Sequence, residues 1–192
     1  MSKSAILYEL IKSRRAVYPS MYNGDIIEED KIDLVLKSAN WAPTHKMTEP
    51  WRFVVFDQTT KSDLAEYCSD WYKSSTPAEE FSEMKFNKIR NKIDLSSHII
   101  AICMQRDPEH RIPEWEEVAA VSCAVQNMWL MCHSLSLGCY WSSSKAALEA
   151  GDFLKLKKGQ KCLGWFYMGI PIDTLDLKGH RNDIKQKVTR FA

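Results

Sequence analysis

The 192-residue sequence lacks the features that mark several common classes of protein. Its formal net charge is only +1, so the overall charge favours neither a nucleic acid nor a membrane surface as a partner. No apolar run approaches the roughly 18 residues of a transmembrane helix. No apolar signal segment follows the first four residues either. We therefore expect a cytoplasmic protein that binds neither nucleic acid nor membranes.

The cysteines are too dispersed to indicate a metal site or a redox pair. None of them forms a CxxC pair, and no cysteine and histidine have the spacing that zinc ligands require. Several lie within apolar runs, which favours buried free thiols in a reducing compartment. The six are Cys68, Cys103, Cys123, Cys132, Cys139 and Cys162.

The common catalytic signatures are also missing. The chain has only seven glycines, and they form no GxGxxG, GxSxG or GxxxxGK[ST] motif; no HExxH motif is present. The sequence therefore does not favour a Rossmann-type nicotinamide-binding domain. The sequence alone identifies no catalytic side chain.

What the sequence does contain is an alternation of helical and strand patterns. Helices are predicted over 3–13, 28–41, 61–94 with a break near 74–77, 114–137 and 145–155. Strands are predicted over 52–57, 98–105, 138–143 and 162–168. A polar tail follows Pro171 and ends in a β-capable segment at 188–191. With no repeat or linker, the pattern predicts a single α+β domain over 1–192, with a mixed central sheet packed by helices.

The helix over 114–137 is apolar on nearly every face from Ala119 onwards. A helix of this kind must be buried on several sides. In a chain of this length the apolar faces cannot all point into one small core, so we expect a homodimer interface along the helix. Met128 at its centre is the predicted interface position.

Two polar elements near the start of the chain are candidates for binding a ligand. Arg14 and Arg15 follow the end of the first helix, where their planar guanidinium groups would suit a phosphate. The alternative is a solvated pair at a helix C-terminus, where positive charge is favourable. The polar loop from Pro43 to Glu49, with His45 at its centre, joins two buried elements. It is either a ligand-contacting loop or an ordinary connection.

Two further elements lie in the second half of the chain. The predicted strand from Gly138 ends in Trp141 and three serines, which could present hydroxyls and backbone amides to a ligand. Ser143 or Ser144 could equally cap the helix that follows, and both interpretations can hold together. The basic cluster over 178–181 is a solvated patch unless a phosphate lies beside it.

In this order and spacing, the motifs resemble the nitroreductase family, in particular its short YdjA-like members. Three blocks carry the resemblance, and together they cover nearly the whole chain. The first is the arginine pair followed by the Ala-Pro-Thr-His-Lys loop and Pro-Trp-Arg-Phe over 42–53. The second is His-Arg-Ile-Pro-Glu-Trp-Glu over 110–116, leading into Ser-Cys-Ala-Val. The third is Gly-Cys-Tyr-Trp-Ser-Ser over 138–143, followed by the segment over 161–171.

The resemblance implies a nitroreductase-like fold and an intertwined homodimer with FMN at the interface. It implies FMN contacts at three segments, of which one comes from the neighbouring subunit. The implied residues are Arg14, Arg15 and Ala16; Trp41 and His45 from the neighbouring subunit; and Trp141, Ser142 and Ser143. Arg181 matches a C-terminal arginine that reaches the phosphate in many relatives.

The activity implied by the resemblance is an FMN-dependent oxidoreductase. Hydride would pass from NADH or NADPH through flavin N5 to an electron-poor small molecule, such as a nitroaromatic or a quinone, by a ping-pong mechanism. Two alternatives are a flavin-binding or regulatory dimer with little turnover, and a specialised flavoenzyme that performs a dehydrogenation on the same fold.

Three positions depart from the family pattern. Ala16 stands where serine is usual, Glu49 where glutamine is common before Pro-Trp, and Ser142 where an arginine is often found. The loss of two polar or charged contacts moves the expected phosphate binding towards Arg14 and Arg181. A carboxylate beside a reduced flavin would be unfavourable, so Glu49 is expected to point away.

Overall fold

A computed structural model gives the structure of residues 1–173 and 176–191. Within these ranges there are six α-helices and four β-strands. The helices are α1 (Lys3–Ser13), α2 (Glu29–Ala39), α3 (Lys61–Ser75), α4 (Glu83–Asp94), α5 (Glu114–Ser134) and α6 (Lys145–Leu148). The strands are β1 (Trp51–Phe56), β2 (His98–Gln105), β3 (Gly138–Ser142) and β4 (Gln160–Gly169). Short 3₁₀ turns lie at Pro19–Met21, His45–Met47, Ala78–Glu80 and Ile184–Lys187.

The predicted elements occur in the predicted order, with two differences in extent. The break expected near 74–77 separates α3 from α4. The helix expected over 145–155 is only the single turn of α6, because the chain turns away at Glu149 and reaches a left-handed conformation at Lys155. Ser144 is the N-cap of α6: its hydroxyl accepts from the Ala147 N–H at 3.3 Å. The β-capable segment over 188–191 forms no strand in this chain.

The sheet is antiparallel, so the prediction of a mixed sheet was wrong. In the described part of the chain the strand order is β1-β2-β4-β3, and each of the three pairings is antiparallel. The mixed sheet was predicted from the alternation of strand and helix patterns, whereas a continuous apolar run such as that of β2 is typical of a strand covered on both faces. The apolar run of β2 indicates that the strand is buried on both faces, but it does not indicate whether the strand is parallel or antiparallel to its neighbours.

Helices cover both faces of this sheet. Along β2, Ile100, Ile102 and Met104 face the layer formed by α2 and α5. The intervening Ile99, Ala101 and Cys103 face the layer that contains α3 and α6. The alternation follows from the period of two along a strand. The two cores are therefore separated by the sheet, and the polar ends of the strands are left at its margins.

Helix α5 packs one face on the sheet and leaves another partly open. Met128 is fully buried in the chain's own core, so the prediction that it lies at a subunit interface was wrong. The open side of α5 instead includes Ala119 and Cys123, and α1 beside it has no buried residue despite its apolar face. No helix of the described ranges combines the length and the apolar character needed to cross a membrane.

Candidate functional site

Arg14 is held against an aromatic ring at the end of α1. Its guanidinium carbon lies 4.7 Å from the centroid of the Trp129 ring on α5, a cation–π arrangement. Burial lowers the pKa of Arg14; the thiol of Cys139 raises it, and the charges of Arg181 and Arg15 lower it further. The chain then runs along β3, where the Val17 N–H donates to the Cys139 carbonyl at 3.0 Å. The arginine pair is therefore fixed beside the sheet.

Arg15 has a different environment from Arg14. Its guanidinium donates to the backbone carbonyls of Leu177 at 3.0 Å, Lys12 at 2.8 Å and Arg14 at 2.8 Å. A Cβ at Gly179 would lie only 2.2 Å from Arg15 Nη2, so the tail passes directly over this guanidinium. Arg15 thus fastens the C-terminal tail to α1, and most of its hydrogen-bonding capacity is used within the chain.

A cationic cleft of about 500 Å³ lies between α1, α5 and the tail. Its lining residues are Tyr8, Ile11, Lys12, Arg14, Arg15, Gln126, Gly179 and Arg181. Over 1–173 and 176–191, none of its three arginines forms a salt bridge with a carboxylate. In the same ranges the backbone N–H groups of Arg15 and Ala16 have no acceptor. This combination of unneutralised cations and free donors is suited to an anion such as a phosphate.

His133 at the end of α5 adjoins the same cluster. Its Nε2 lies 2.8 Å from the Ser13 hydroxyl, which itself donates to the Glu9 carbonyl at 2.6 Å. The serine oxygen therefore accepts from a neutral imidazole that carries its proton on Nε2. Burial lowers the pKa of His133, and the positive charges of Arg14 and Arg15 lower it further.

The predicted strand end lies where β3 meets β4. Trp141 and Ser142 are the last residues of β3, and Ser143 connects the strand to the Ser144 cap of α6. The Trp141 indole N–H is buried without a hydrogen-bond partner. It lies against Gly164, where a Cβ would come within 2.5 Å of it. A buried donor without an acceptor normally has a structural or ligand-binding explanation.

His45 lies far from the arginine cleft within one chain, and Trp41 does not line that cleft. His45 Nδ1 is 2.7 Å from a carboxylate oxygen of Glu116 in the first turn of α5. Trp129, whose ring contacts the Arg14 guanidinium, is 13 residues further along the same helix than Glu116, or about 20 Å along the helix axis. Trp41 is 86% exposed and borders an apolar groove with Leu7, Leu10, Leu34, Leu130 and Met131.

The loop that contains His45 is conformationally strained. Lys46, Met47 and Glu49 all have positive φ angles, of 50°, 54° and 40°. Each non-glycine residue in this region costs about 1–3 kcal/mol, and such strain tends to cluster at functional sites. The Glu49 N–H donates to the Thr44 hydroxyl at 3.0 Å, which closes the loop, while the Glu49 side chain is exposed.

The structure brings only some of the predicted site residues together. Arg14, Arg15, Ala16 and Arg181 lie together at the cationic cleft, with β3 beside the segment that follows them. His45 lies near the opposite end of α5, and Trp41 borders a separate apolar groove. Sequence reasoning missed Trp129 and His133, because both lie within an apolar run that indicates only burial. The signal that could have identified them is their position one helical turn apart, beside the end of α1.

Comparison with known proteins places these features in a family. The model of the nitroreductase family matches residues 11–170. YfhC of Bacillus subtilis, provisionally named an NAD(P)H nitroreductase, is 26% identical over 190 residues, which cover 97% of this chain and 95% of YfhC. YdjA of Escherichia coli K12, with the same provisional name, is 24% identical over 146 residues, covering 74% of this chain and 76% of YdjA.

Solved structures share the fold over the whole chain. A nitroreductase-like family protein from Bacillus cereus superposes with a TM-score of 0.81 at 24% identity, covering 100% of this chain and 98% of that one. The FMN-dependent nitroreductase NfnB of Mycobacterium smegmatis, solved with NADPH, gives 0.79 at 16% identity and covers 100% of both chains. The fold is thus the nitroreductase-like α+β fold, and with the family model matching most of its length, this chain belongs to the nitroreductase family.

Proposed function

We propose that this protein is an FMN-dependent oxidoreductase that uses NADH or NADPH to reduce a small electron-poor acceptor. The observation that carries the proposal is the guanidinium of Arg14. It is held over Trp129 in a cleft whose three arginines have no carboxylate partner within the described residues. Such a cleft suits the phosphate of a mononucleotide, and Arg14 lies close enough to Cys139 on β3 for the two groups to interact electrostatically.

The types of side chain in this region suit the chemical groups of FMN. Arg14 and Arg181 would hold the phosphate, assisted by the free backbone N–H groups of Arg15 and Ala16. Ser142 and Ser143 would supply hydroxyl groups for the polar part of the flavin. When bound, FMN accepts a hydride from the nicotinamide and passes it to the acceptor, while the protein binds, orients and tunes it.

The reaction that we propose balances without a protein nucleophile or base. With a nitroaromatic acceptor, one hydride from NAD(P)H and one proton from solvent convert the nitro group to a nitroso group and release one water. NAD(P)H would bind first and leave as NAD(P)⁺, and the acceptor would then take its place, in a ping-pong scheme. The neutral His133 beside Arg14 keeps a further positive charge away from the cluster at neutral pH.

We also propose that the working unit is a homodimer in which Trp41 and His45 reach the partner's site. Within one chain the His45 contact at Glu116 lies about 20 Å along α5 from Trp129 and Arg14, and Trp41 borders a different groove from the arginine cleft. The apolar face of α1 and the groove bordered by Trp41 are open to solvent in a single chain. Exposed apolar surface of this kind is typical of protein interfaces. A two-fold axis beside α5 would cover it and bring the strained loop to the partner's cleft.

A second candidate function is a flavin-binding dimer with little turnover. Two observations favour it. Ala16 provides no hydroxyl, and the guanidinium of Arg15 is used to hold the tail. Both reduce the number of side chains available to the phosphate, and weak retention of FMN would limit turnover.

Anaerobic titration separates the two candidates. The protein is purified, mixed with FMN, desalted and examined for flavin absorbance; NADH or NADPH is then added without oxygen. Bleaching of the bound flavin, followed by reoxidation when a nitroaromatic or quinone is added, is the expected result. Bound flavin that neither nucleotide reduces would favour the second candidate. A colourless protein without measurable FMN affinity would contradict both.

A further inference from the structure

A second cleft, of about 680 Å³, lies on the opposite side of β3 from the arginine cleft. One wall is a face of α4 formed by Asn87, Lys88, Asn91 and Lys92. These positions are one, three and four residues apart, so they form two adjacent ridges on one side of the helix. The other wall contains the rings of Tyr18 and Tyr140, whose centroids are 4.5 Å apart.

The aromatic wall is rigidly supported. Tyr140 is part of β3, and its ring stacks on that of Tyr167 with centroids 6.1 Å apart and planes 17° apart. The segment that carries Tyr18 is anchored by the buried Tyr22. The Tyr22 hydroxyl lies 2.9 Å from the Val17 carbonyl and 3.2 Å from the Tyr167 carbonyl, so it holds this segment against β4. The two tyrosine rings meet at an angle of 49°, so a planar group can stack on one ring while it contacts the other.

The charge on the helical wall is positive and uncompensated. The lining of the cleft includes no acidic residue. Within residues 1–173 and 176–191, neither Lys88 nor Lys92 forms a salt bridge. Lys92 is half-buried and Lys88 is exposed. A cleft with an aromatic wall facing two lysines and two amides is suited to a planar ring that carries an anionic group.

The cleft also adjoins the proposed flavin site. Tyr140 immediately precedes Trp141 on β3, and Tyr18 follows Arg14 by four residues. The aromatic wall is thus continuous with two segments that we assign to flavin binding, so a ligand in the cleft would touch the same strand as the flavin. The arginine cleft has a different lining, with no residue in common, so the two clefts can be tested separately.

We propose that this α4 cleft binds aromatic carboxylates, with Lys88 and Lys92 holding the carboxylate and the two tyrosines supporting the ring. The expected consequence is that the enzyme prefers aromatic acids to neutral aromatic compounds as acceptors. This consequence rests on the proposed function. The lysines would then be specificity-determining residues that take no part in the hydride transfer.

Direct binding of unreactive probes tests the proposal. Benzoate and its neutral isostere benzamide are titrated into the full-length chain, with and without added FMN, and followed by NMR or tryptophan fluorescence. Benzoate should bind about five- to tenfold more tightly, the range that two partly exposed charge contacts provide. In the Lys88→Ala/Lys92→Ala double variant this difference should vanish. Lys85→Ala, on the same helix but outside the cleft lining, should retain it.

Three results would overturn the inference: equal binding of the two probes, a benzoate preference that survives the double variant, or displacement of benzoate by equimolar inorganic phosphate. Tyr18→Ala should weaken both probes to a similar degree. The kinetic arm compares kcat/KM for 4-nitrobenzoate and 4-nitrobenzamide, and the ratio should fall five- to tenfold in the double variant. If neither compound is reduced by any variant, the proposed function fails, while the benzoate titration still decides whether the cleft binds aromatic acids.

Discussion

At the scale of single residues, the contact between Arg14 and Trp129 is central to the proposed function. A guanidinium stacked on an indole is pre-positioned, so little side-chain freedom is lost when it binds an anion. Arg14→Ala should therefore weaken FMN by about 10- to 100-fold, since a charge-assisted hydrogen bond contributes about 1.5–3 kcal/mol. Fluorescence quenching of added FMN measures this affinity.

The matched control for Arg14 is Arg90→Ala, because Arg90 is an exposed arginine on α4 that lines neither cleft. It should leave FMN affinity unchanged. If Arg14→Ala folds and binds FMN as tightly as the unmodified protein, the phosphate is held elsewhere, and Arg181→Ala becomes the decisive variant.

His133 gives a pH-dependent prediction. Its pKa in the folded chain is lowered by burial and by the nearby arginines, so the unfolded chain binds the proton more readily. The resulting contribution to stability is present above the ordinary histidine pKa of about 6.5 and is lost as the pH falls through the folded-state value. NMR titration should show His133 titrating below 6.5, and Arg14→Ala should move its pKa upwards. An unshifted His133 in the unmodified protein would contradict this environment.

The sequence allowed the prediction of residues whose side-chain chemistry alone suggests a ligand. The arginine pair and Arg181 were predicted together, and the structure places them together. Arg15 was assigned a direct role in FMN binding, yet its donors are engaged by three backbone carbonyls. Sequence could not reveal this, because the tail that it holds is about 160 residues away along the chain.

At the scale of elements, the start of α5 is fixed by a buried ion pair. The fully buried Glu117 accepts from the Arg106 guanidinium and, at 2.7 Å, from the Asp107 N–H. Removing one partner of a buried pair leaves a charge without compensation and costs about 3–5 kcal/mol. Arg106→Ala should therefore lower the free energy of unfolding by about this amount, as measured by urea denaturation.

Glu114, three residues earlier on α5, provides the comparison. It pairs with Lys161 at the surface, where both side chains are about half exposed. Glu114→Ala should cost no more than about 1 kcal/mol, because surface ion pairs contribute little. Equal losses in the two variants would mean that the Arg106–Glu117 pair is not the structural anchor of α5.

Element type was predictable and strand direction was not. Apolar runs identified β2 and β4, and the break near 74–77 separated α3 from α4. Direction depends on how the connections pass over the sheet, and α3–α4 returns the chain to the neighbouring strand in the antiparallel sense. Local periodicity carries no information about that path. The short extent of α6 follows from a turn that the helical pattern did not reveal.

At the scale of the whole molecule, the proposed dimer depends on the exposed apolar face of α1. Leu7 is 53% exposed and borders the groove that also contains Trp41. Leu7→Asp should convert the proposed dimer to monomer and reduce FMN retention with it, because the partner's loop would be lost from each site. Light scattering and flavin absorbance measure the two effects.

Leu148→Asp is the control for assembly, since Leu148 is 51% exposed on α6, outside the groove. It should remain a dimer with FMN bound. A protein that is monomeric before any substitution and still retains FMN would contradict the assembly and the shared site alike. Met128, the position favoured by sequence alone, is unsuitable because a charge there would disrupt the chain's own core.

The apolar character of α5 was legible in the sequence, whereas the assignment of its faces was not. Periodicity cannot separate a position facing the sheet from one facing a partner when both are apolar. The buried set includes Met128, and the open set includes Ala119 and Cys123. Only the position of the sheet distinguishes them.

The packing of helix α5 also determines which parts of the molecule can move when a ligand enters or leaves. Its 21 residues form a rod about 30 Å long, clamped to the sheet along one face. It touches His45 near one end and carries Trp129 and His133 near the other. A helix that is packed against the sheet along one face moves as a rigid element and does not bend at a hinge. Displacements during ligand exchange should therefore be taken up by α4 and the C-terminal tail, which lack strand pairing to the sheet.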